Sequence, residues 1–377
     1  MTSGEQSPVN VTKRPVVRRW GQIGAMLAGF GTCALVVAVG VGASVGVQAS
    51  LLGLVLAVLP LGVVVPAFLW LDRFEAEPKP MLLFALAWGA FVAAAGALVI
   101  NTTSILFLGN VVPDGVTAAT IVVAPIVEES LKGLAVLIIA LWRRHHFDGI
   151  VDGIVYAGIC AAGFACAENI LYLGRAFNED GGRGVVAVFF LRAVVGPFAH
   201  PLFTICTGIG LGIAVTTRRA GMRLLAPLVG LLLAIMLHAI WNLSAVAGGG
   251  FLVRYVVLQV PIFASAVALA LWARRREGLL IGAQLTLYAA VGWLSDAEVR
   301  MLSSMAQRRK ARVWAKFAGG RPALSAMQAF QDAASELAFL RLRMQRGVAD
   351  DTAPATERRL LQSVATRRRE FIGSPAT

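Results

Sequence analysis

The sequence predicts an all-α, polytopic membrane protein of about eight transmembrane helices followed by a cytoplasmic helical tail. Three observations predict it. The 377-residue chain is 58% hydrophobic with a mean hydropathy of +0.74, outside the range of soluble chains. Apolar runs of the roughly 20 residues that a spanning helix needs recur through the first three quarters of the chain. Lys and Arg gather in alternate connections between those runs.

The runs extend over residues 23–47, 51–71, 81–108, 117–141, 150–173, 185–215, 224–246 and 251–272. Each is long enough to cross a hydrocarbon core as a helix. The first follows Lys13, Arg14, Arg18 and Arg19, and residues 47–49 mimic a cleavage site. Its apolar stretch is too long for a signal peptide, so it reads as a retained anchor.

Charge sets the expected orientation. Basic residues precede the first run and fill the second, fourth and sixth connections, with Arg73 and Lys79, Arg143 and Arg144, then Arg218, Arg219 and Arg223. Arg274, Arg275 and Arg276 follow the eighth. The opposite connections hold only Arg175, Arg183 and Arg254, diluted by Glu179 and Asp180. This pattern puts both termini in the cytoplasm of a bacterial cell, with the spans in its inner membrane. The net charge of +13 is then explained by orientation and anionic headgroups, and no nucleic-acid partner is expected.

Three regions result: a polar, disordered cytoplasmic segment over 1–20, a transmembrane helical domain over 21–273, and a basic cytoplasmic helical tail over 274–377. In the tail, Ser295 and Glu298 have capping-box spacing. The helix they start is expected to stop at Gly319 and Gly320, with further helical segments over 323–346 and 356–371. The stretch 279–293 is interrupted by Gly282, Gln284 and Gly292 and is too short for a ninth span. Cys33, Cys160, Cys166 and Cys206 fall inside spans and read as small packing residues rather than a disulfide framework.

The fourth span carries Glu128, Glu129 and Lys132 near its middle. Three central charges oppose insertion by roughly 8 to 10 kcal/mol, whereas its Leu, Ile and Val residues return about 4 to 7. Such a helix needs these groups paired or wetted inside a bundle. Lys132 lies one turn beyond both glutamates, yet one lysine cannot satisfy two carboxylates. The surplus carboxylate reads as a general base or a metal ligand.

The fifth span adds Phe164 and Glu168 on one face, then Asn169, above a small-residue ridge of Gly153, Ala157, Ala161 and Ala165 that admits a close neighbour. The sixth carries His200 and the seventh His238, Trp241 and Asn242, with His238 and Asn242 sharing a face. His145 and His146, in a loop, read as ordinary surface residues. By rise per residue, Glu128, Glu129, His200 and His238 come to similar depth, roughly 12 to 23 Å below the outer surface, with Glu168 shallower.

Such a pocket has two routes to one chemistry. Imidazole and carboxylate donors suit zinc with an open position for water. Without metal, a buried glutamate activates water while histidine and asparagine stabilise an oxyanion. Both hydrolyse a carbonyl compound, most plausibly a peptide bond. The competing class is a transporter or scaffold using the same groups for protons or ions. No zincin, nucleophile-elbow or Ser–Lys pattern is present.

Taken together, Glu128-Glu129-x-x-Lys132, Phe164-x-x-x-Glu168-Asn169, His200-Pro201-Leu202-Phe203-Thr204 and His238-x-x-Trp241-Asn242 resemble the PrsW family of bacterial intramembrane proteases. The stretch from Asp152 to Tyr156 is similar to that family as well. The resemblance implies an intramembrane endopeptidase with a divalent metal, zinc by preference, and a membrane-protein substrate of the anti-sigma-factor kind. It assigns Glu128 and Glu129 to water activation or metal binding, and Glu168, His200 and His238 to binding or orienting roles. The resulting site has Glu128, Glu129 and Asn242 as catalytic groups and Glu168, His200 and His238 as metal ligands. Lys132, Asn169, Phe164 and Trp241 support them. In the related CAAX group the second motif ends in histidine where this chain has Glu168, and that group includes enzymes thought to work without metal, so both routes stay open.

Overall fold

A computed structural model describes residues 16–142 and 147–372. The expected N-terminal segment up to residue 15, and His145 with His146, lie outside the described residues.

Apart from the connections between them, the described residues form helices, with no strand. In chain order the helices are α1 (Val16–Val45), α2 (Val47–Val58), α3 (Leu61–Leu71), α4 (Lys79–Ala87), α5 (Ala94–Val111), α6 (Gly115–Ala118), α7 (Ala124–Trp142) and α8 (Ile150–Phe189). They continue with α9 (Ala199–Thr216), α10 (Ala220–Val246), α11 (Phe251–Arg254), α12 (Val260–Ala289), α13 (Asp296–Leu302), α14 (Met305–Arg346) and α15 (Ala353–Ile372). Wider π segments join α4 to α5 (Trp88–Ala93), α6 to α7 (Ala119–Val123) and α11 to α12 (Tyr255–Gln259), and a fourth continues α8 (Phe190–Val195).

Six helical runs among the described residues are long and apolar enough to span a membrane, rather than the predicted eight. The difference has two physical sources. α7 carries Glu128, Glu129 and Lys132, and that charge alone takes it out of the count. The fifth and sixth predicted spans form one run over Ile150–Thr216. Within that run the backbone departs from helix at Gly181, with φ +60°, and α9 begins only after a break at residues 196–198.

α8 is the axis of the bundle. In the apolar window of the run it begins, 83% of residues are buried, against 6% in the window of α1 and 11% in that of the last apolar run. The small-residue ridge explains how. A side chain added at Gly153 would lie 2.0 Å from the Gly208 carbonyl oxygen, and one at Gly208 equally close to that of Gly153. Only glycine lets α8 and α9 approach this closely. Tyr156, Ile154, Ile159 and Phe203 fill the surrounding core.

α12 runs straight through position 274 and carries Ile281, Leu285 and Tyr288 into a second core with α13, α14 and α15. Residues 279–289 are therefore helical and packed against the tail. Ser295 accepts from the Glu298 backbone N–H at 3.2 Å while the Glu298 carboxylate accepts from Ser295 N–H at 2.7 Å, which completes the expected capping box. Gly319 and Gly320 leave helical geometry inside α14, where the sequence places a stop. The second core is fastened to the bundle at Phe74 and Asp148: Arg308 donates to the Phe74 carbonyl at 2.9 Å and Arg343 to Asp148 Oδ2 at 2.9 Å. All four cysteines are free.

Candidate active site

Four elements bring the ionisable side chains to one level. Counted from the bundle end that carries the tail, Glu128, Glu168, His200 and His238 lie roughly 21 to 27 Å in. The widened turns assist. The first π segment supplies Trp88, whose ring N–H donates to the Leu131 carbonyl at 3.0 Å and fixes α7. The second leaves the Thr120 carbonyl to be satisfied by Asn242 at 2.9 Å. The segment Phe190–Val195 carries Arg192. Such π turns recur at functional sites.

The adjacent glutamates of α7 have different surroundings. Glu129 is fully buried and saturated: Lys132 donates to Oε1 at 2.6 Å, His238 Nδ1 to Oε1 at 2.9 Å, and the Thr204 hydroxyl to Oε2 at 2.8 Å. Glu128 receives one hydrogen bond, from the Asn101 amide to Oε1 at 3.0 Å, and its Oε2 is buried with no partner. His238 Nε2 lies 3.8 Å from that oxygen.

Glu128, His200 and His238 each offer a donor atom within 4.8 Å of the other two. The sequence set places Glu168, rather than Glu128, with the histidines. In the structure Glu168 is held by an ion pair with Arg192 and lies 2.9 Å from His200 Nε2. His200 Nδ1 is 3.3 Å from Lys132. Its two nitrogens thus both have neighbours, whereas His238 keeps Nε2 open toward Glu128.

An orphaned buried carboxylate oxygen beside two imidazoles is the donor set a divalent ion would satisfy. Glu129 behind His238 gives the carboxylate–histidine pairing that orients such a ligand. The residues present therefore fit a metal.

The supporting residues also fall into place around the cluster. Lys132 sits over the Phe164 ring, 4.4 Å from its centre. Asn169 accepts from Arg192. Phe203 stacks on His238 and meets Trp241 on its other side. Asn242 spends its amide on Thr120 and so braces a wall rather than pointing a donor at Glu128. Two contributors were not singled out from sequence, Asn101 and Arg192, and Thr204 was named there only as part of the His200 motif. Arg192 and Asn101 lie inside predicted spans, where a charge or amide in apolar sequence is itself a signal.

Glu128 and Glu168 line a cavity of about 150 Å³ that runs between α1, α5 and α8 toward Tyr172 and Arg175, away from the tail end. A second hollow, of about 20 Å³, lies against His200 and Trp241 beside Leu61 and Pro197.

The sequence model of the family described as PrsW family intramembrane metalloprotease covers residues 77–266. The chain belongs to the PrsW family. It is 34% identical over 139 residues to Protease PrsW of Clostridioides difficile (strain 630), covering 36% of this chain and 55% of that one. The corresponding protein of Bacillus subtilis (strain 168) is 32% identical over 146 residues, 37% of this chain and 59% of that one. That of Oceanobacillus iheyensis is 37% identical over 117 residues, 31% and 49% of the two chains. The chain spans about half the length of the curated PrsW relatives it matches. No solved structure matches it. The family resemblance is thus borne out, and the matched stretch runs from before Glu128 to beyond Asn242.

Proposed function

We propose that the chain is an intramembrane endopeptidase that hydrolyses a peptide bond of a membrane-embedded or membrane-proximal protein. The observation that carries the reading is the unpartnered Glu128 Oε2 among His200 and His238, at the end of a cavity deep in an apolar bundle.

Glu128, His200 and His238 would hold a divalent ion, zinc by the character of the donors. When bound, that ion supplies a Lewis acid and a water whose pKa falls toward about 7. The chain's own groups do the rest. Asn101 turns Glu128 so that Oε2 faces the imidazoles. Glu129 fixes the His238 ring, and Lys132 balances the Glu129 charge. Arg192 anchors Glu168, which faces His200. A proton released from the attacking water has carboxylates on two sides, Glu128 and Glu168, and the leaving amine takes it up. The two contacts of His200 favour a second route without metal, with Glu128 as general base.

The same reading extends to placement. The charge alternation supports a bacterial inner membrane with both termini cytoplasmic. Residues 1–20, 21–273 and 274–377 then serve as N-terminal segment, membrane domain and cytoplasmic tail, the last supported by the second core. The kind of substrate is a single-pass protein such as an anti-sigma factor.

The test uses purified protein. Bound metal is measured by mass spectrometry, and membranes containing candidate single-pass proteins are incubated with wild type, Glu128→Ala, His200→Ala and His238→Ala. Processing lost in folded variants supports the reading, and bound zinc selects the metal route. Unchanged processing in all three ends it, and a proton or ion flux lost in the same variants makes the chain a transporter.

A further inference from the structure

The cavity next to Glu128 contains a second orphan. Asn101 Oδ1 is buried with no hydrogen-bond partner. Its orientation is fixed, because the amide nitrogen is committed to Glu128 Oε1. A buried acceptor left without a partner is costly, so an occupant of the cavity that brings a donor is favoured.

The walls narrow what that occupant is. Val37 and Val41 of α1 and Leu98 and Ile105 of α5 give an apolar slot, and Glu128 and Glu168 close its inner end. The volume of about 150 Å³ suits one or two peptide residues rather than a helix. A helical peptide also has its N–H groups consumed internally, whereas an unwound one offers them. α1 is the least enclosed wall, with 6% of its apolar window buried against 33% for the run that holds α5. The hollow on the far side, near Leu61 and Pro197, is too small for a residue.

We propose that this cavity is the subsite for substrate backbone: an unwound peptide segment enters past α1, lies between α5 and α8, and donates a backbone N–H to Asn101 Oδ1. The bond to be cut is thereby held beside Glu128. This inference rests on the endopeptidase reading.

The probe is a pool of short randomised Ala, Ser, Gly, Val and Leu peptides, each with one photoreactive leucine analogue, added to the full chain in nanodiscs. Crosslinks are expected on Val37, Leu98 and Ile105, with the yield falling roughly fivefold in Asn101→Leu, the equivalent of about 1 kcal/mol for one hydrogen bond. A second measurement does not depend on that variant. A side chain at Gly40 would come 2.5 Å from Leu98 Cδ2, so Gly40→Cys with Leu98→Cys ties α1 to α5 reversibly; oxidation should abolish crosslinking at Val37 and Ile105 and reduction restore it. Crosslinks confined to Leu61 and Pro197, no crosslinks at all, or yields indifferent to both changes overturn the proposal. Cleavage of the same pool is scored separately. Crosslinking on α1 and α5 without cleavage removes the endopeptidase and keeps the peptide subsite, while cleavage with crosslinks around Leu61 removes the subsite alone.

Discussion

His238 Nδ1 donates to Glu129 Oε1 at 2.9 Å, and with Lys132 and Thr204 it saturates that carboxylate while the adjacent Glu128 keeps an oxygen without a partner. Neighbouring positions on a helix point about 100° apart. Glu129 therefore turns into α9 and α10 and is saturated, while Glu128 turns toward α5 and keeps an oxygen open.

Glu128→Gln and Glu129→Gln should consequently fail in different ways. Gln at 129 leaves Lys132 buried without its counter-charge, a loss on the order of 3 to 5 kcal/mol. Its thermal midpoint in detergent should fall clearly. Gln at 128 keeps the Asn101 contact available and should melt near wild type, yet lose substrate processing. Equal melting of the two variants would contradict this division of roles.

The Lys132–Glu129 pair should also show coupling. Lys132→Met alone takes the ammonium away from Glu129 and leaves it the His238 and Thr204 donors, while Met at 132 with Gln at 129 removes both charges together. A four-way cycle of thermal melts should give an interaction of roughly 0.5 to 3 kcal/mol, with the double variant losing less than the two single losses added together. Strict additivity would show that the 2.6 Å contact carries no net weight.

Much of this was legible in the sequence because lipid makes charge expensive. Glu128, Glu129, Lys132, His200 and His238 stand out against apolar runs, and periodicity put them at one depth. What the sequence left open was orientation around each helix axis. Depth cannot tell which of Glu128 and Glu168 keeps an oxygen open beside the histidines, since rotation depends on packing such as the Gly153–Gly208 contact and on turns widened at Ala119–Val123 and Phe190–Val195. Asn242 shows the same limit: it shares a face with His238, yet its amide is spent on a carbonyl that a π turn leaves exposed. The six apolar runs do not decide the predicted eight, since Ile150–Thr216 covers two of the predicted spans and α7 is set apart by the very charges that mark the site.

Arg192 should behave as a positioning residue for Glu168. It bonds both Glu168 and Asn169 and packs over Tyr172 with its guanidinium 4.1 Å from the ring centre. Lysine retains the charge but not the planar fork. Arg192→Lys should lower processing roughly 10- to 100-fold, in the range of groups that orient a site. The readout that separates positioning from folding is the melt, which should move little in Arg192→Lys and far more in Arg192→Ala.

A pH effect is expected at the tail end of the bundle. Burial raises the Asp72 carboxyl to about 8, partly opposed by the Glu77 N–H that it accepts, with Asp152 nearby adding to the rise. Burial likewise raises Asp148 to about 7, Asp152 adds to this, and Arg343 and Arg346 oppose it. A folded-state pKa above the unfolded value means that the folded chain holds more protons between the two, so stability falls as pH rises across that interval. The thermal midpoint should decline from about pH 4 to pH 8. Asp72→Asn should flatten the upper part of that decline, and an unchanged slope would remove Asp72 as its source.

Arg308 ties the second core to the bundle, and its loss should free the tail without touching the site. The side chain is completely buried, and burial lowers its pKa to about 10, which leaves it charged at neutral pH. It donates to the Leu302 carbonyl at 2.7 Å, the Phe74 carbonyl at 2.9 Å and the Ser335 hydroxyl at 2.6 Å. Ser335 in turn donates to the Phe74 carbonyl at 2.7 Å. Methionine fills similar volume and makes none of these bonds, so Arg308→Met strands the Leu302 carbonyl and weakens the hold on Phe74, at about 1 to 3 kcal/mol for each buried group left unmade. The weak point is already in place: Gly319 and Gly320 interrupt α14, and Phe317 just before them is 87% exposed. Trypsin should therefore cut after Lys316 faster in Arg308→Met than in wild type. Metal content should stay the same, because Glu128, His200 and His238 lie deep in a separate core. Equal cleavage rates would show that the apolar contacts of Phe330, Leu337 and Ile281 hold the tail unaided.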